Sequence, residues 1–219
     1  MPSFAFDNPP EQASPDERKR QRILAAAAQV VFAYGYQRTS MDDIAKAAEV
    51  SRPALYLHFR NKSEIFRAIA AHYFERSAEA ARAALQRKAV FEDRLKGAID
   101  DSIFGLLAHI HAAPHGAEIM DLKNVLAGDL HEAWFAEMTG ILAAEFQAEA
   151  RRNGVDLPLR GLSGEGLARI FLSALEGVKA HSPDPEAVSR NFGQLLRIIA
   201  MAVGAVKGED ADSGKGAAS

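Results

Sequence analysis

The chain has 219 residues, of which 48% are apolar and 25% are charged. This balance is typical of a globular protein and excludes a chain that is disordered throughout or collagen-like. The sequence contains no cysteine, which excludes disulfides, cysteine nucleophiles and cysteine-ligated metals. The N-terminus lacks the apolar run of a signal peptide, and no stretch of about 18 uncharged apolar residues occurs, so we expect a cytoplasmic protein without a membrane span.

Charge is distributed unevenly along the chain. Residues 15–89 hold 14 Lys and Arg against 8 Asp and Glu, a balance of +6, whereas residues 90–219 hold 12 against 19, a balance of −7. A basic segment followed by an acidic remainder indicates that the first part meets a polyanion. Scattered surface charge is the alternative that the counts alone leave open.

The first predicted helix covers residues 17–34, where apolar side chains recur at a spacing of three and four. Ser14 or Asp16 can cap its start, and Gly35 stands where a helix ends. The preceding residues 1–14 are rich in proline and are expected to form a flexible tail.

Two short helices and a long one follow. Ser40 and Ser51 are good N-caps for helices over 41–48 and 52–59, and the next helix is predicted over 62–88.

The rest of the chain shows no alternation of period two, so it predicts no strand. We expect residues 207–219 to be disordered, and helices over 91–112, 115–126, 129–153, 164–181 and 184–206. The predicted fold is all-α, with an N-terminal helix-turn-helix module of three helices (15–62) joined to a larger helical domain (63–206).

The two short helices and the tight turn between them have the length and spacing of a helix-turn-helix. Ile44 and Ala48 on the first helix, Val50 in the turn and Leu55 on the second would form its core. In such a motif the second helix enters the major groove of DNA, while the first lies across the backbone.

The run from Arg22 to Phe66 carries a longer pattern, formed by Ile23-Leu24, Ala26-Ala27, Phe32, Gly35-Tyr36, Thr39-Ser40, Ile44-Ala45, Val50-Ser51, Leu55-Tyr56, His58-Phe59 and Lys62. With this spacing it resembles the TetR/AcrR family of transcriptional regulators. Glu49 departs from the family, which usually has glycine there. A residue with a side chain must accept a strained φ or let the turn relax.

Eleven residues of this module are candidates for contact with DNA: Arg18, Lys19, Thr39, Ser40, Ser51, Arg52, Pro53, Ala54, Tyr56, His58 and Lys62. Ser40 and Lys62 stand at helix starts, where they can hold phosphates. A plain N-cap and a solvated lysine are the respective alternatives. The resemblance implies a phosphate or minor-groove role for the basic arm at Arg18 and Lys19, and a solvated charge run is the alternative.

Arg52 begins the second helix of the motif and could read guanine through two hydrogen bonds, or hold a phosphate only. Pro53 and Ala54 are small enough to approach a thymine methyl group. Tyr56 can reach a phosphate or be a core tyrosine, and His58 can contact DNA or pack inside.

The resemblance implies that the larger domain binds a small molecule and forms a homodimer. The last two helices carry apolar stripes suited to a bundle shared by two subunits, with the interface at Phe171, Leu175, Val178, Phe192, Leu196, Ile199 and Val203. A core within one chain is the alternative for this set.

An effector pocket is expected among the middle helices, lined by Phe104, Leu107, His111, Met120, Trp134, Phe135, Met138 and Phe171. Each of these side chains can equally be plain core, because the same pattern of aromatic residues and methionine serves both purposes.

Enzymatic and metal-dependent functions find little support. The chain has no nucleophile elbow, phosphate loop or dinucleotide-binding glycine motif, so no enzyme activity and no cofactor are predicted. His109 and His111 lie on different faces of a helix, and Pro114 interrupts the helix between His111 and His115, so no metal site is predicted. The leading interpretation is a repressor that leaves its operator DNA when a small apolar or amphipathic molecule binds. A DNA-binding protein whose larger domain binds a protein partner is the alternative.

Overall fold

The computed structural model describes residues 4, 6, 13–181 and 185–205, and this part of the chain is all-α, as predicted. Its ten α-helices are α1 (Pro15–Tyr34), α2 (Met41–Ala47), α3 (Arg52–His58), α4 (Lys62–Leu85), α5 (Phe91–Ile99), α6 (Gly105–His111), α7 (Gly116–Leu126), α8 (Gly128–Arg152), α9 (Gly164–His181) and α10 (Pro185–Ala202). The segment 207–219, predicted to be disordered, lies outside the described residues. None of the described helices is long and apolar enough to cross a membrane.

The first four helices begin at side chains that cap them. The Ser14 hydroxyl accepts a hydrogen bond from the Glu17 amide at the start of α1, and Ser40 does the same for Asp43 in α2. Ser51 and Asn61 cap α3 and α4. Each side-chain oxygen satisfies an amide that the helix leaves without a partner, which is why these boundaries could be predicted.

The helix predicted over 91–112 has an unpredicted irregularity. Between α5 and α6 the backbone forms a π-helical turn, Asp100–Phe104. The buried Ser102 hydroxyl donates to the Ala98 carbonyl, and the turn packs against α4.

The described residues pack into two compact units. The first contains those of 1–86 and 97–138, and the second those of 87–96 and 139–205. The three N-terminal helices therefore share a unit with α4, α6 and α7. The division between a 15–62 domain and a 63–206 domain stays a prediction.

The core of the first unit joins all four N-terminal helices. Ile23, Ile44, Leu55 and Ile65 come from α1, α2, α3 and α4 in turn, and each is almost completely buried in this core. Ala48 is also buried and Val50 packs against the same cluster, which confirms the predicted helix-turn-helix core.

Two aromatic residues of the N-terminal segment belong to the first unit, unlike the flexible tail predicted for 1–14. Phe4 is buried beside Gly105, and Phe6 stacks on the His72 ring with centroids 4.0 Å apart. Phe6 also meets Tyr73 edge-on. Burial of large aromatic rings is favourable and stabilises the positions of these two residues.

A polar clamp fixes α4 to the start of α8. The Arg67 guanidinium donates to both carboxylate oxygens of Asp129, at 2.7 and 2.6 Å, and to the Leu126 carbonyl at 2.7 Å. The hydrogen bonds from Arg67 lower the pKa of Asp129 to about 2. Two parallel bonds between guanidinium and carboxylate fix geometry as well as charge.

The second unit is held by an apolar core and an ion-pair network. Phe146 meets Phe171 edge-on, and α9 packs against α10. Arg94 pairs with Glu145 at 2.6 Å and with Glu149 at 3.0 Å. These charges are mostly buried, and mutual pairing is what makes their burial tolerable.

The turn between α2 and α3 is strained at Glu49. Its φ is +54°, a value that L-residues with a side chain rarely adopt, and no other described non-glycine residue has a positive φ. Of the two outcomes that the sequence left open, the residue therefore accepts the strain.

We expect Glu49→Gly to raise the free energy of unfolding by about 0.5–1 kcal/mol, because glycine adopts this conformation without steric cost. Glu49 is exposed, so few contacts are lost. Chemical denaturation checks the value, with Glu49→Ala as the control. A gain in stability for alanine equal to that for glycine would show that backbone strain is not the cause.

Candidate nucleic-acid interface

The exposed face of α3 is the surface best suited to contact DNA. Leu55, a predicted core residue, and the following Phe59 point inward and are almost completely buried. Arg52, Tyr56 and Leu57 point outward, and Leu57 is 84% exposed. A short helix that presents a cation, a hydroxyl and an aliphatic group has the chemistry needed to contact phosphates and base edges.

Arg52 is exposed and loosely held. Its guanidinium lies 3.0 Å from a carboxylate oxygen of Asp42 on α2 and 5.7 Å from the centre of the Tyr56 ring. An exposed ion pair of this kind contributes only about 0–1 kcal/mol. Asp42 can therefore orient the side chain and release it when a stronger partner arrives.

Ser40, Ser51, Pro53 and Ala54 all lie at the starts of α2 and α3. Ser40 and Ser51 act as N-caps, and Ser40 also donates to Asp43 at 2.6 Å. Pro53 is exposed and Ala54 is half-buried. Capping and phosphate binding can coexist at such a position, so contact of these residues with DNA stays a prediction.

Thr39 and His58 have little exposed surface, which for His58 is the packed alternative that the sequence left open. Thr39 is buried and donates to the Gly35 carbonyl at 2.7 Å. The His58 side chain is 7% exposed and lies 3.7 Å from Asp16. Both side chains pack within the module, and their contact with DNA stays a prediction.

Arg18 and Lys19 lie on the first turn of α1. Arg18 is exposed and donates to the Ala13 carbonyl, whereas Lys19 is half-buried. Arg20, one residue further, lies over the Phe59 ring at 4.9 Å. Arg20 thus covers the core, and contact of Arg18 and Lys19 with DNA stays a prediction.

Lys62 is engaged inside the protein instead of standing free. Its ammonium donates to the Tyr36 carbonyl at 2.7 Å and to the Thr39 carbonyl at 2.8 Å. It also lies 4.3 Å from the centre of the Tyr36 ring. The lysine therefore binds α4 to the loop between α1 and α2, and its predicted phosphate contact would compete with these bonds.

A second element holds the same loop. The backbone N–H of Gln37 donates to the Glu118 carboxylate at 2.9 Å, and Glu118 lies on α7. Gly35 has φ of +87°, and a Cβ there would collide with that carboxylate. The α1–α2 loop (residues 35–40) is thus fixed by α4 and α7 just before it enters α2.

The predicted pocket residues do not all lie in one place. Phe171 belongs to the second unit and faces Phe146. In the first unit Trp134 and Met138 are buried, whereas Phe104, Leu107, Met120 and Phe135 are half-buried and His111 is exposed. Trp134 stacks on the Phe74 ring, with centroids 5.4 Å apart. A pocket formed by this set stays a prediction.

No group of three or more possible metal ligands is found among the described residues.

The predicted dimer residues are already covered within one chain. Phe171, Leu175, Phe192, Leu196, Ile199 and Val203 are buried, and Val178 is half-buried. Buried side chains have almost no surface left to lose to a partner. The exposed apolar residues of the same two helices are Ile170, Ile198 and Met201, each more than half exposed. The helical spacing of apolar residues alone could not distinguish the buried face of these helices from the exposed one.

Leu57 is the residue of the candidate interface that the sequence interpretation missed. It follows Tyr56 and lies one turn after Pro53 and Ala54, so helical spacing could have placed it on the outward face.

The comparisons with known proteins agree with this geometry. Residues 23–69 match the family model described as bacterial regulatory proteins, tetR family. The transcriptional activator FasR of Mycolicibacterium smegmatis is 33% identical over 95 residues, which are 43% of each chain. The chain therefore spans less than half the length of this curated relative.

Solved structures show the same fold over most of the chain. The fatty acid degradation regulator FadR from Bacillus halodurans has a TM-score of 0.59 at 21% identity, with 85% of this chain and 96% of that one covered. SmeT, the repressor of the Stenotrophomonas maltophilia multidrug efflux pump SmeDEF, has a TM-score of 0.57 at 21% identity, with 87% and 90% covered. Over residues 23–69 the chain is thus similar to the tetR family of bacterial regulatory proteins, and the solved structures show that most of the chain shares their fold.

We expect Lys62→Met to lower the free energy of unfolding by about 1–3 kcal/mol, because it removes charged hydrogen bonds from loop carbonyls. Chemical denaturation without DNA measures the loss. Lys88→Met is the matched control, since Lys88 is an exposed lysine beyond the end of α4. Equal stability of the two variants would contradict a structural role for Lys62.

Proposed function

We propose that this protein is a cytoplasmic, homodimeric repressor of the TetR family that binds operator DNA through α3 and is released by a small apolar or amphipathic molecule. The observation that carries the proposal is the outward face of α3, where Arg52, Tyr56 and Leu57 stand exposed on a helix-turn-helix whose core is closed. The basic balance of residues 15–89 supports the same assignment, because positive charge favours association with the phosphate backbone.

Arg52 is the side chain that we assign to base recognition. It is the first residue of α3, and the N-terminal residues of a recognition helix contact base edges. Its weak pair with Asp42 keeps the guanidinium at the surface. Two hydrogen bonds to one guanine contribute about 1–3 kcal/mol of discrimination against other bases.

A dimer is needed because one helix-turn-helix covers only one half-site. Two recognition helices must lie about 34–36 Å apart to enter successive major grooves. The exposed apolar stripe on α9 and α10 offers the surface for such a pair, with Ile170 on one helix and Ile198 and Met201 on the other. A symmetric interface uses the same patch on both subunits.

Repression and effector release are supported by relatives. SmeT is named as a repressor, and a solved SmeT–triclosan complex shows that this neighbour binds a small molecule, triclosan. FasR is named as an activator, and a reporter gene in cells distinguishes repression from activation.

The DNA-binding function is tested by selecting bound duplexes from a random pool and measuring affinity for the selected sequence and for unrelated DNA. We expect wild-type protein to prefer a short palindrome. Arg52→Ala should lower that preference about 5- to 100-fold, because it removes contacts to a base and not only to phosphates. Arg87→Ala, at an exposed arginine beyond α4, is the control and should keep it. A wild-type protein without sequence preference at low salt would refute the function. If Arg52→Ala instead weakens binding to both DNAs equally, Arg52 is a backbone contact.

The proposed dimer face is tested with Ile198→Glu, which would place unpaired charges inside the interface. We expect the dimer dissociation constant to rise at least about 100-fold, which corresponds to about 2.7 kcal/mol. Leu159→Glu is the control, because Leu159 is also an exposed aliphatic residue of the second unit but lies outside α9 and α10. Analytical ultracentrifugation measures both variants. An unchanged dimer in Ile198→Glu would place the interface elsewhere.

A further inference from the structure

A carboxylate from α2 lies beside the exposed face of α3. The Nη1 atom of Arg52 lies 3.0 Å from one oxygen of Asp42 and donates to the other at 3.1 Å. Both side chains are open to solvent, at 50% exposure for Asp42 and 60% for Arg52. A negative group on a surface that approaches DNA is repelled by the phosphates. A specific contact must offset that repulsion if this surface binds DNA.

Helix capping does not account for Asp42. The neighbouring Asp43 is the residue that closes the capping box of α2, because it accepts from the backbone N–H of Ser40 at 2.9 Å and from its hydroxyl at 2.6 Å. Asp42 instead pairs with a residue ten positions later. An exposed ion pair of this kind adds little to stability. The position of Asp42 is therefore better explained by a role at the surface than by a role in the fold.

We propose that Asp42 is a specificity-determining residue of the DNA interface. It positions Arg52 on a guanine, and its carboxylate accepts a hydrogen bond from the amino group of a cytosine in the adjacent base pair. This inference rests on the function proposed above, and it adds a second helix and a second base to the recognition that α3 performs.

The positioning role follows from how Arg52 is held. Arginine carries five N–H donors in a planar fork, and Asp42 contacts the fork at Nη1. The guanidinium also lies 5.7 Å from the centre of the Tyr56 ring. Hydrogen bonding with Tyr56 and the charge of Asp42 both raise the pKa of Arg52. A fork that is already oriented loses less freedom when its other donors meet the N7 and O6 atoms of guanine.

The choice of cytosine follows from the chemistry of a carboxylate. Its two oxygens offer about four lone-pair positions, which is more than one arginine nitrogen can occupy. Cytosine and adenine both show an amino donor in the major groove, but that of adenine stands beside the N7 acceptor. This acceptor would repel a carboxylate. Acidic side chains therefore pair with cytosine.

The separation of the two side chains matches the spacing of base edges. Successive bases of one strand lie about 3.4 Å apart along the duplex, and the charged atoms of Asp42 and Arg52 lie 3.0 Å apart. When Arg52 contacts a guanine, the carboxylate can therefore reach the edge of the next base pair. Phosphates offer acceptors only, so on unrelated DNA the carboxylate finds repulsion without a donor.

The test selects duplexes from a random pool with the full chain as wild type, Asp42→Ala and Asp42→Asn. We expect each wild-type half-site to hold a guanine with a cytosine in the adjacent base pair. Asp42→Ala should lose the cytosine and lower the preference for the wild-type duplex at least about 5-fold. Asp42→Asn should exchange the cytosine for adenine, because an amide both donates and accepts. The same selected sequence for all three proteins overturns the inference.

Affinity for unrelated DNA separates this role from a loss of structure. Both Asp42 variants should bind unrelated DNA about 2- to 5-fold more tightly at low salt, because a charge that repels phosphates is gone. A damaged module would bind all DNA more weakly. Glu75→Gln is the matched control, since Glu75 is an exposed carboxylate on α4, and it should match wild type. Weaker binding by both Asp42 variants, or an equal gain in Glu75→Gln, contradicts the proposal.

The Arg52→Ala variant tests the positioning role. In that background Asp42→Ala should lower sequence preference less than in the wild type, because no arginine is left to orient. Equal losses in the two backgrounds overturn the positioning role.

The outcomes also distinguish this inference from the proposed function. If wild-type protein selects a palindrome and the Asp42 variants select the same one, the role of Asp42 fails and the proposed function stands. A wild-type protein without sequence preference defeats both.

Discussion

The helix that would read DNA cannot stand on its own. A seven-residue helix is not stable in water, because nucleation costs more than two turns of hydrogen bonds return. α3 exists because Leu55 and Phe59 are buried against α1, α2 and α4, and burial of one such side chain contributes about 1.5–3 kcal/mol. The buried side chains of α3 thereby fix the positions of its outward residues, Arg52, Tyr56 and Leu57. The same core fixes α1, so the position of the exposed face depends on how α1 packs.

The loop between α1 and α2 links the packing of α1 to the position of α2 and α3. Lys62, on α4, donates to two carbonyls of the loop. Glu118, on α7, accepts from a backbone N–H of the same loop. A cation on carbonyls and a carboxylate on an amide are both charge-assisted bonds, which are shorter and stronger than neutral ones. A change in the spacing of α4 and α7 must therefore stretch one of two strong contacts. A change in helix packing inside the first unit would therefore reach the α1–α2 loop through Lys62 or Glu118.

Local chemistry explains which features could be predicted from the sequence. Capping side chains fixed the starts of the first four helices, because Ser14, Ser40, Ser51 and Asn61 satisfy amides a few residues away. Contacts between residues far apart in the sequence could not be predicted. Helical period predicts an apolar stripe on α10, but only the fold reveals that Leu196 faces inward and Ile198 outward. Lys62 looked like a free lysine because its partners lie 23 and 26 residues earlier.

The packing of Phe4 and Phe6 bears on how a shortened protein would behave. A version that began at Ala13 would keep every described helix and its caps, yet it would lose the rings that cover His72, Tyr73 and Gly105. The stretch uncovered is aromatic and continuous with the core of the first unit. Exposed apolar surface of this kind promotes association between molecules. Trimming the chain to its helices would thus expose an apolar patch that the full chain covers with Phe4 and Phe6, and would favour aggregation.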